Sequence, residues 1–95
     1  MNDCIYINRG ILRFMQDDPQ LFKVLLCCLL TAGKDGTFFS SLVEISFYTG
    51  LSTSVVYDKL ILLMEKNLLY FGEDIKQERV LFTLKNYESF CKLGE

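Results

Sequence analysis

Ser41-Leu42-Val43-Glu44-Ile45-Ser46-Phe47-Tyr48-Thr49-Gly50-Leu51-Ser52-Thr53-Ser54-Val55-Val56-Tyr57-Asp58-Lys59-Leu60-Ile61-Leu62-Leu63 is the stretch on which the fold turns. Ser41 and Glu44 fit a capping box, in which the hydroxyl and the carboxylate satisfy each other's free backbone amides at a helix start. That helix runs to Tyr48 or Thr49 and stops at Gly50. Leu51-Ser52 then leads into a second capped helix from Thr53 to about Lys66, so two helices meet across a tight glycine turn. On the second, Val56, Leu60 and Leu63 fall within about 40° of one direction at 100° per residue, and that stripe is expected to face the core.

Upstream, Asp17-Asp18-Pro19 is a strong helix start, with a capping carboxylate and proline at the first helical position. The following apolar stretch reaches Ala32, and Gly33 ends it. Leu21, Phe22, Val24, Leu25, Leu26, Cys27, Cys28, Leu29 and Leu30 leave hardly any polar face, which predicts a helix in the middle of the fold. Lys34-Asp35-Gly36 turns the chain into Thr37-Phe38-Phe39, a short β-prone piece. Downstream, Leu68-Leu69-Tyr70-Phe71 reads as a strand, Gly72 to Glu78 as a polar turn and Val80-Leu81-Phe82-Thr83-Leu84 as a returning strand. Ile5 to Phe14 mixes apolar and basic positions around Gly10 and suits either a short strand or a helix packed over the body.

Ninety-five residues are room for one domain. Hydrophobic residues make up 51% and charged ones 23%, with mean hydropathy +0.24, which excludes disorder. A domain this small buries only about 60–65% of its unfolded surface, so some apolar side chains must stay in water or meet a partner, and a partner is expected. The longest apolar run, Val24 to Leu30, is far short of a membrane span. The Met1-Asn2-Asp3-Cys4 start lacks the features of a signal peptide, so the cytoplasm is expected.

The chemistry-bearing residues point away from catalysis. The chain has no histidine, which removes the commonest general base and metal ligand. Its four cysteines form no C-x-x-C pair, and the adjacent Cys27 and Cys28 diverge by about 100° on a helix, a poor chelate; reduced thiols filling core are expected. Gly33-Lys34-Asp35 fails as a phosphate loop, because Cys28 and Asp35 stand where the motif needs Gly and Ser or Thr. The carboxylates sit at helix starts and turns. No enzyme, cofactor, metal or small-molecule substrate is expected.

The order helix, short strand, helix, turn, helix, hairpin is that of a winged helix-turn-helix domain of α+β class, mostly α. The pattern Ser41-Leu42-x-x-Ile45-Ser46-x-x-Thr49-Gly50-Leu51-Ser52-x-x-x-Val56-x-x-x-Leu60-x-x-Leu63-x-x-x-Asn67-Leu68-Leu69 resembles the signature of many bacterial and phage winged-helix proteins. Together with Ile7-x-Arg9-x-Ile11-Leu12 and Asp17-Asp18-Pro19-x-Leu21-Phe22-x-x-x-x-x-x-Leu29-Leu30-x-Ala32 ahead, and Phe82-Thr83-Leu84-Lys85-Asn86-Tyr87-Glu88-Ser89-Phe90 behind, the chain is similar to the amino-terminal domain of phage and bacterial replisome organisers and DnaD-like primosome proteins. The resemblance covers nearly the whole chain and implies a single domain. In it, 1–16 is a packing segment, 40–67 the helix-turn-helix, 68–85 the hairpin wing and 86–95 a tail. It also implies a role in loading replication machinery, through DNA contact or self-association.

In that fold the second helix of the motif enters the major groove. Opposite the Val56 stripe lie Ser54, Asp58, Ile61 and Glu65, so two acids point at the groove. Residues 40 to 79 hold four bases against six acids, and the whole chain carries −2. Tight DNA binders commonly make about six to ten phosphate contacts, more than this surface can supply. The candidate DNA contacts are Arg9, Arg13, Thr53, Ser54, Tyr57, Lys59, Lys66, Lys76 and Arg79. The candidate interface is Val43, Phe47, Tyr48, Ile61 and Leu62, which cannot all join Leu42 and Ile45 in the core. Alternatively, the amino-terminal segment with Tyr6, Ile7, Ile11, Leu12 and Phe14 covers that patch. Three functions suit these residues. The first is a replication-type module working by self-association, as a homodimer or with a protein partner, with weak DNA contacts. The others are a protein-interaction module without DNA binding and a sequence-specific transcription regulator.

Overall fold

A computed structural model describes residues 5–7, 16–76, 78–85 and 91–93. Its element order is β1 (Ile5–Ile7), α1 (Pro19–Thr31), β2 (Thr37–Ser40), α2 (Leu42–Thr49), α3 (Thr53–Glu65), β3 (Leu69–Phe71), a 3₁₀ turn (Glu73–Lys76), β4 (Val80–Leu84) and β5 (Cys91–Leu93). Among the described residues it is a small α+β fold of three helices and a three-stranded antiparallel sheet, with a separate two-stranded ribbon.

Each helix begins where a side chain takes up its free amides. Asp18 accepts from the Leu21 N–H at 3.0 Å, with Pro19 next in line. Ser41 accepts from Glu44 N–H at 3.1 Å and Ser52 from Val55 N–H at 3.2 Å. Only the serine half of the expected capping box is made. The Glu44 carboxylate lies 3.5 Å from the Ser41 hydroxyl and turns to the Arg79 guanidinium, a charged donor that competes with a backbone amide. Gly50 closes α2 at φ 75°, its N–H donating to Ser46 O. The following turn is locked by side chains: the Ser46 hydroxyl donates to Leu51 O, and Leu51 N–H to the Thr49 hydroxyl. α3 ends in a Schellman motif, with Asn67 at φ 60°, Asn67 N–H donating to Met64 O and Leu68 N–H to Leu63 O. α1 stops one residue earlier than Gly33, because Ala32 is already extended.

The sheet order is β2-β4-β3. Thr37 pairs with Thr83, Ser40 with Val80, Leu69 with Leu84 and Phe71 with Phe82. Alternation then sends Phe38, Phe71, Val80, Phe82 and Leu84 inward. There Phe82 stacks on Phe38 at 4.8 Å between ring centroids and tilts against Phe71 at 5.5 Å. Val56, Leu60 and Leu63 are wholly buried, as their spacing requires, beside Leu21, Val24, Leu25, Cys28 and Leu29 of α1.

Three expectations change. The connection from 72 to 79 is not simply a polar turn: the 3₁₀ turn puts Ile75 into the core, because one isoleucine among acids and lysine has nowhere else apolar to go. α1 is not buried all round; Leu30 is exposed and Leu26 and Cys27 half-buried, because the core meets only one side of the helix. Within the expected tail, the described residues Cys91–Leu93 form a strand, β5, which pairs antiparallel with β1, Ile5 opposite Leu93 and Ile7 opposite Cys91. No helix among the described residues is long and apolar enough to cross a membrane.

Candidate interaction surfaces

α2 carries a single charge, Glu44, and its outward side is apolar. Val43 is 69% exposed, Phe47 80% and Tyr48 71%. Val43 and Phe47 are four residues apart and so neighbours on the helix surface. The Phe47 and Tyr48 rings meet edge to face at 5.5 Å. Tyr48 in turn borders an open cavity of about 400 Å³ between α2 and α1, lined also by Lys23, Leu26, Cys27, Leu30, Thr31 and Thr49. Burial pushes the Cys27 thiol above its usual pKa, and the fully enclosed Cys28 further still, so both are thiols and not thiolates near neutral pH.

Ile61 and Leu62, expected on the same patch, are half-buried and packed against the core. α3 has α1, α2 and β3 as neighbours, and a helix flanked on several sides buries a wider arc than its central stripe. The exposed interface candidates therefore belong to α2 alone. A second apolar strip lies on the outer face of the sheet, where Phe39 pairs across strands with Leu81 and Tyr70 stands on the far edge.

Lys59, Arg79 and Lys76 already have partners. Lys59 Nζ lies 2.8 Å from Asp18 Oδ2, tying the middle of α3 to the start of α1. The hydrogen bond from Lys59 holds the Asp18 carboxyl below its usual pKa. Arg79 Nε is 3.0 Å from Glu44 Oε1, and its second amino group donates to Phe39 O at 3.2 Å. The Lys76 ammonium sits 4.5 Å above the half-buried Tyr57 ring, a cation–π contact. Lys66 is exposed at the end of α3, and Thr53 and Ser54 are exposed at its start, where the Ser54 hydroxyl meets that of Ser52 at 3.2 Å. Asp58 and Glu65 are exposed on the outward side of α3. Arg9 and Arg13, with the covering candidates Ile11, Leu12 and Phe14, lie outside the described residues, and the side chains of Tyr6 and Ile7 are likewise not described.

Among the described residues no group of histidine, cysteine and carboxylate ligands is gathered for a metal. The cavity and the exposure of Leu30 were not among the sequence expectations. The signal was present in α1, whose apolar residues occupy more of the helix circumference than one core can cover. Compared with protein-family models, curated proteins and solved structures, the chain finds no match.

Proposed function

We propose that the chain is a cytoplasmic, non-enzymatic winged-helix module of replication-initiation type, which works by associating with itself through α2 and touches DNA weakly. Support for the fold is the order α1, β2, α2, tight turn, α3, β3, β4 with β2 closing the sheet beside β4. Two described cysteines that remain free thiols fit a reducing compartment.

The observation that carries the mode of action is a contrast between surfaces. Lys59 and Arg79 are engaged by Asp18 and Glu44, and α3 turns Asp58 and Glu65 outward, while α2 offers Val43, Phe47 and Tyr48 to solvent. A module whose candidate cations Lys59, Lys76 and Arg79 are engaged within the fold, and which carries an apolar face, gains DNA affinity by assembling several copies, each adding a few phosphate contacts.

Light scattering across concentration, paired with mobility-shift assays on single- and double-stranded DNA at several salt concentrations, tests this. The expected result is an oligomer whose DNA affinity falls as salt rises. A chain that stays monomeric when concentrated and ignores DNA at low salt would reject the reading. The internal use of Lys59 favours one alternative, a protein-interaction module without DNA binding; an oligomer indifferent to DNA is its signature.

A further inference from the structure

α1 carries two apolar stripes. One, through Leu21, Val24, Leu25 and Cys28, feeds the core. The other, Leu26, Cys27 and Leu30, follows the same spacing of three and four residues and floors the cavity that Tyr48 walls from α2. The most exposed large apolar side chain among the described residues, Phe47, stands beside that cavity, joined to it by the Phe47–Tyr48 ring contact.

We infer that this face is the contact between two copies of the chain related by a two-fold axis, with Phe47 of each copy seated in the other's cavity between α1 and α2. The inference rests on the self-association proposed above and gives it a geometry. A two-fold contact uses one patch twice, so the patch must hold both a projection and the hollow that receives it, side by side. This one does. A space of about 150 Å³ holds a benzene ring, and the cavity offers about 400 Å³.

Area and charge point to the same occupant. Val43, Phe47, Tyr48 and Leu30 together expose roughly 500 Å², so two copies would remove on the order of 1,000 Å² from water, about the least a specific interface needs. The outward side of α2 has no free charge, since Glu44 is bound by Arg79. Two identical copies can therefore meet there without like-charge repulsion, whereas a charged partner would find nothing complementary to read. Lys23, on the rim, has a stem long enough to keep its ammonium in water.

The full chain is tested by light scattering and sedimentation, with far-UV circular dichroism to check folding. The wild type is expected to dimerise. Phe47→Ala should weaken the dimer by about tenfold or more, as removal of a central aromatic anchor does. Cys27→Phe, which fills the cavity without touching Phe47, should weaken it similarly. In a Cys4→Ser, Cys91→Ser background, Phe47→Cys under mild oxidation should give a covalent dimer linked between positions 27 and 47, absent when Cys27→Ser is added. A monomer at all concentrations overturns both the inference and the self-association reading. A dimer of unchanged affinity in folded Phe47→Ala and Cys27→Phe chains, or a 27–47 link within one chain only, overturns the seating of Phe47 and leaves self-association standing.

Discussion

At Asp18 one carboxylate does two jobs: Oδ1 caps α1 through the Leu21 amide, and Oδ2 binds Lys59 on α3. The two roles separate by substitution. Asparagine caps nearly as well as aspartate, so Asp18→Asn should lose only the ion pair, about 0.5–1 kcal/mol. Asp18→Ala should lose about 1 kcal/mol more, both read from urea melts at pH 7. The native carboxyl is held below its ordinary 3.8 by Lys59. Its contribution is therefore complete above that value and is lost as the pH falls through the lower native one. The gap between wild type and Asp18→Asn should be full at neutral pH and close in acid. A gap independent of pH would show that Lys59 is not the partner that matters. Asp18 was legible in the sequence as a cap, because Asp-Pro is a local signal. Lys59, 41 residues away, was legible only as a cation, because no local pattern records what a side chain meets after folding.

Among elements, the pair α2 and α3 was the most readable, since Ser41, Gly50, Ser52 and the Val56-Leu60-Leu63 stripe are capping and periodicity signals that act within a few residues. Gly50 sits at φ 75° with nothing within 4 Å of where a Cβ would stand. Gly50→Ala should thus cost only the backbone penalty of the left-handed conformation, about 1 kcal/mol, with Gly50→Asn costing less. A thermal melt of the three chains gives that order, and equal melting temperatures would contradict it. Less readable was the span of α3 that lies in solvent. Ile61 and Leu62 face away from the stripe on a helical wheel, yet neighbours on several sides half-bury them. The acids on that face are a clearer matter. If α3 docks in a groove as a winged helix does, Asp58→Lys with Glu65→Lys should strengthen duplex binding by about tenfold or more at low salt, the effect fading as salt rises. Unchanged mobility shifts would detach α3 from any DNA role.

For the whole molecule, the sequence supplied the elements from α1 to β4 and their order, but not the 3₁₀ turn, β5 or the partners of strands. That β4 lies between β2 and β3, or that β1 finds β5, depends on pairings between distant residues, for which alternating patterns are necessary and not specific. The outward apolar surface was half visible: an excess of hydrophobic residues demanded an uncovered face, and packing chose which one. If that face joins copies, the melting temperature should climb as protein concentration rises, because only the folded chain dimerises. Calorimetry over a hundredfold range of concentration reads this directly, and a constant melting temperature would argue for a folded monomer.

The sheet also orders events in time. β2 is joined to β4 across a stretch holding both α2 and α3, and Phe38 finds its stacking partner only in Phe82. A ribosome that has added Lys66 has made α1, α2, α3 and β2, but not β3 and β4, the strands that complete the sheet over their inner sides. At roughly 5–20 residues per second, the codons up to Leu84 take about 1–4 s more. Through that interval the side chains destined for the interior are open to any neighbour, so the nascent chain, and not the finished fold, is where aggregation threatens most.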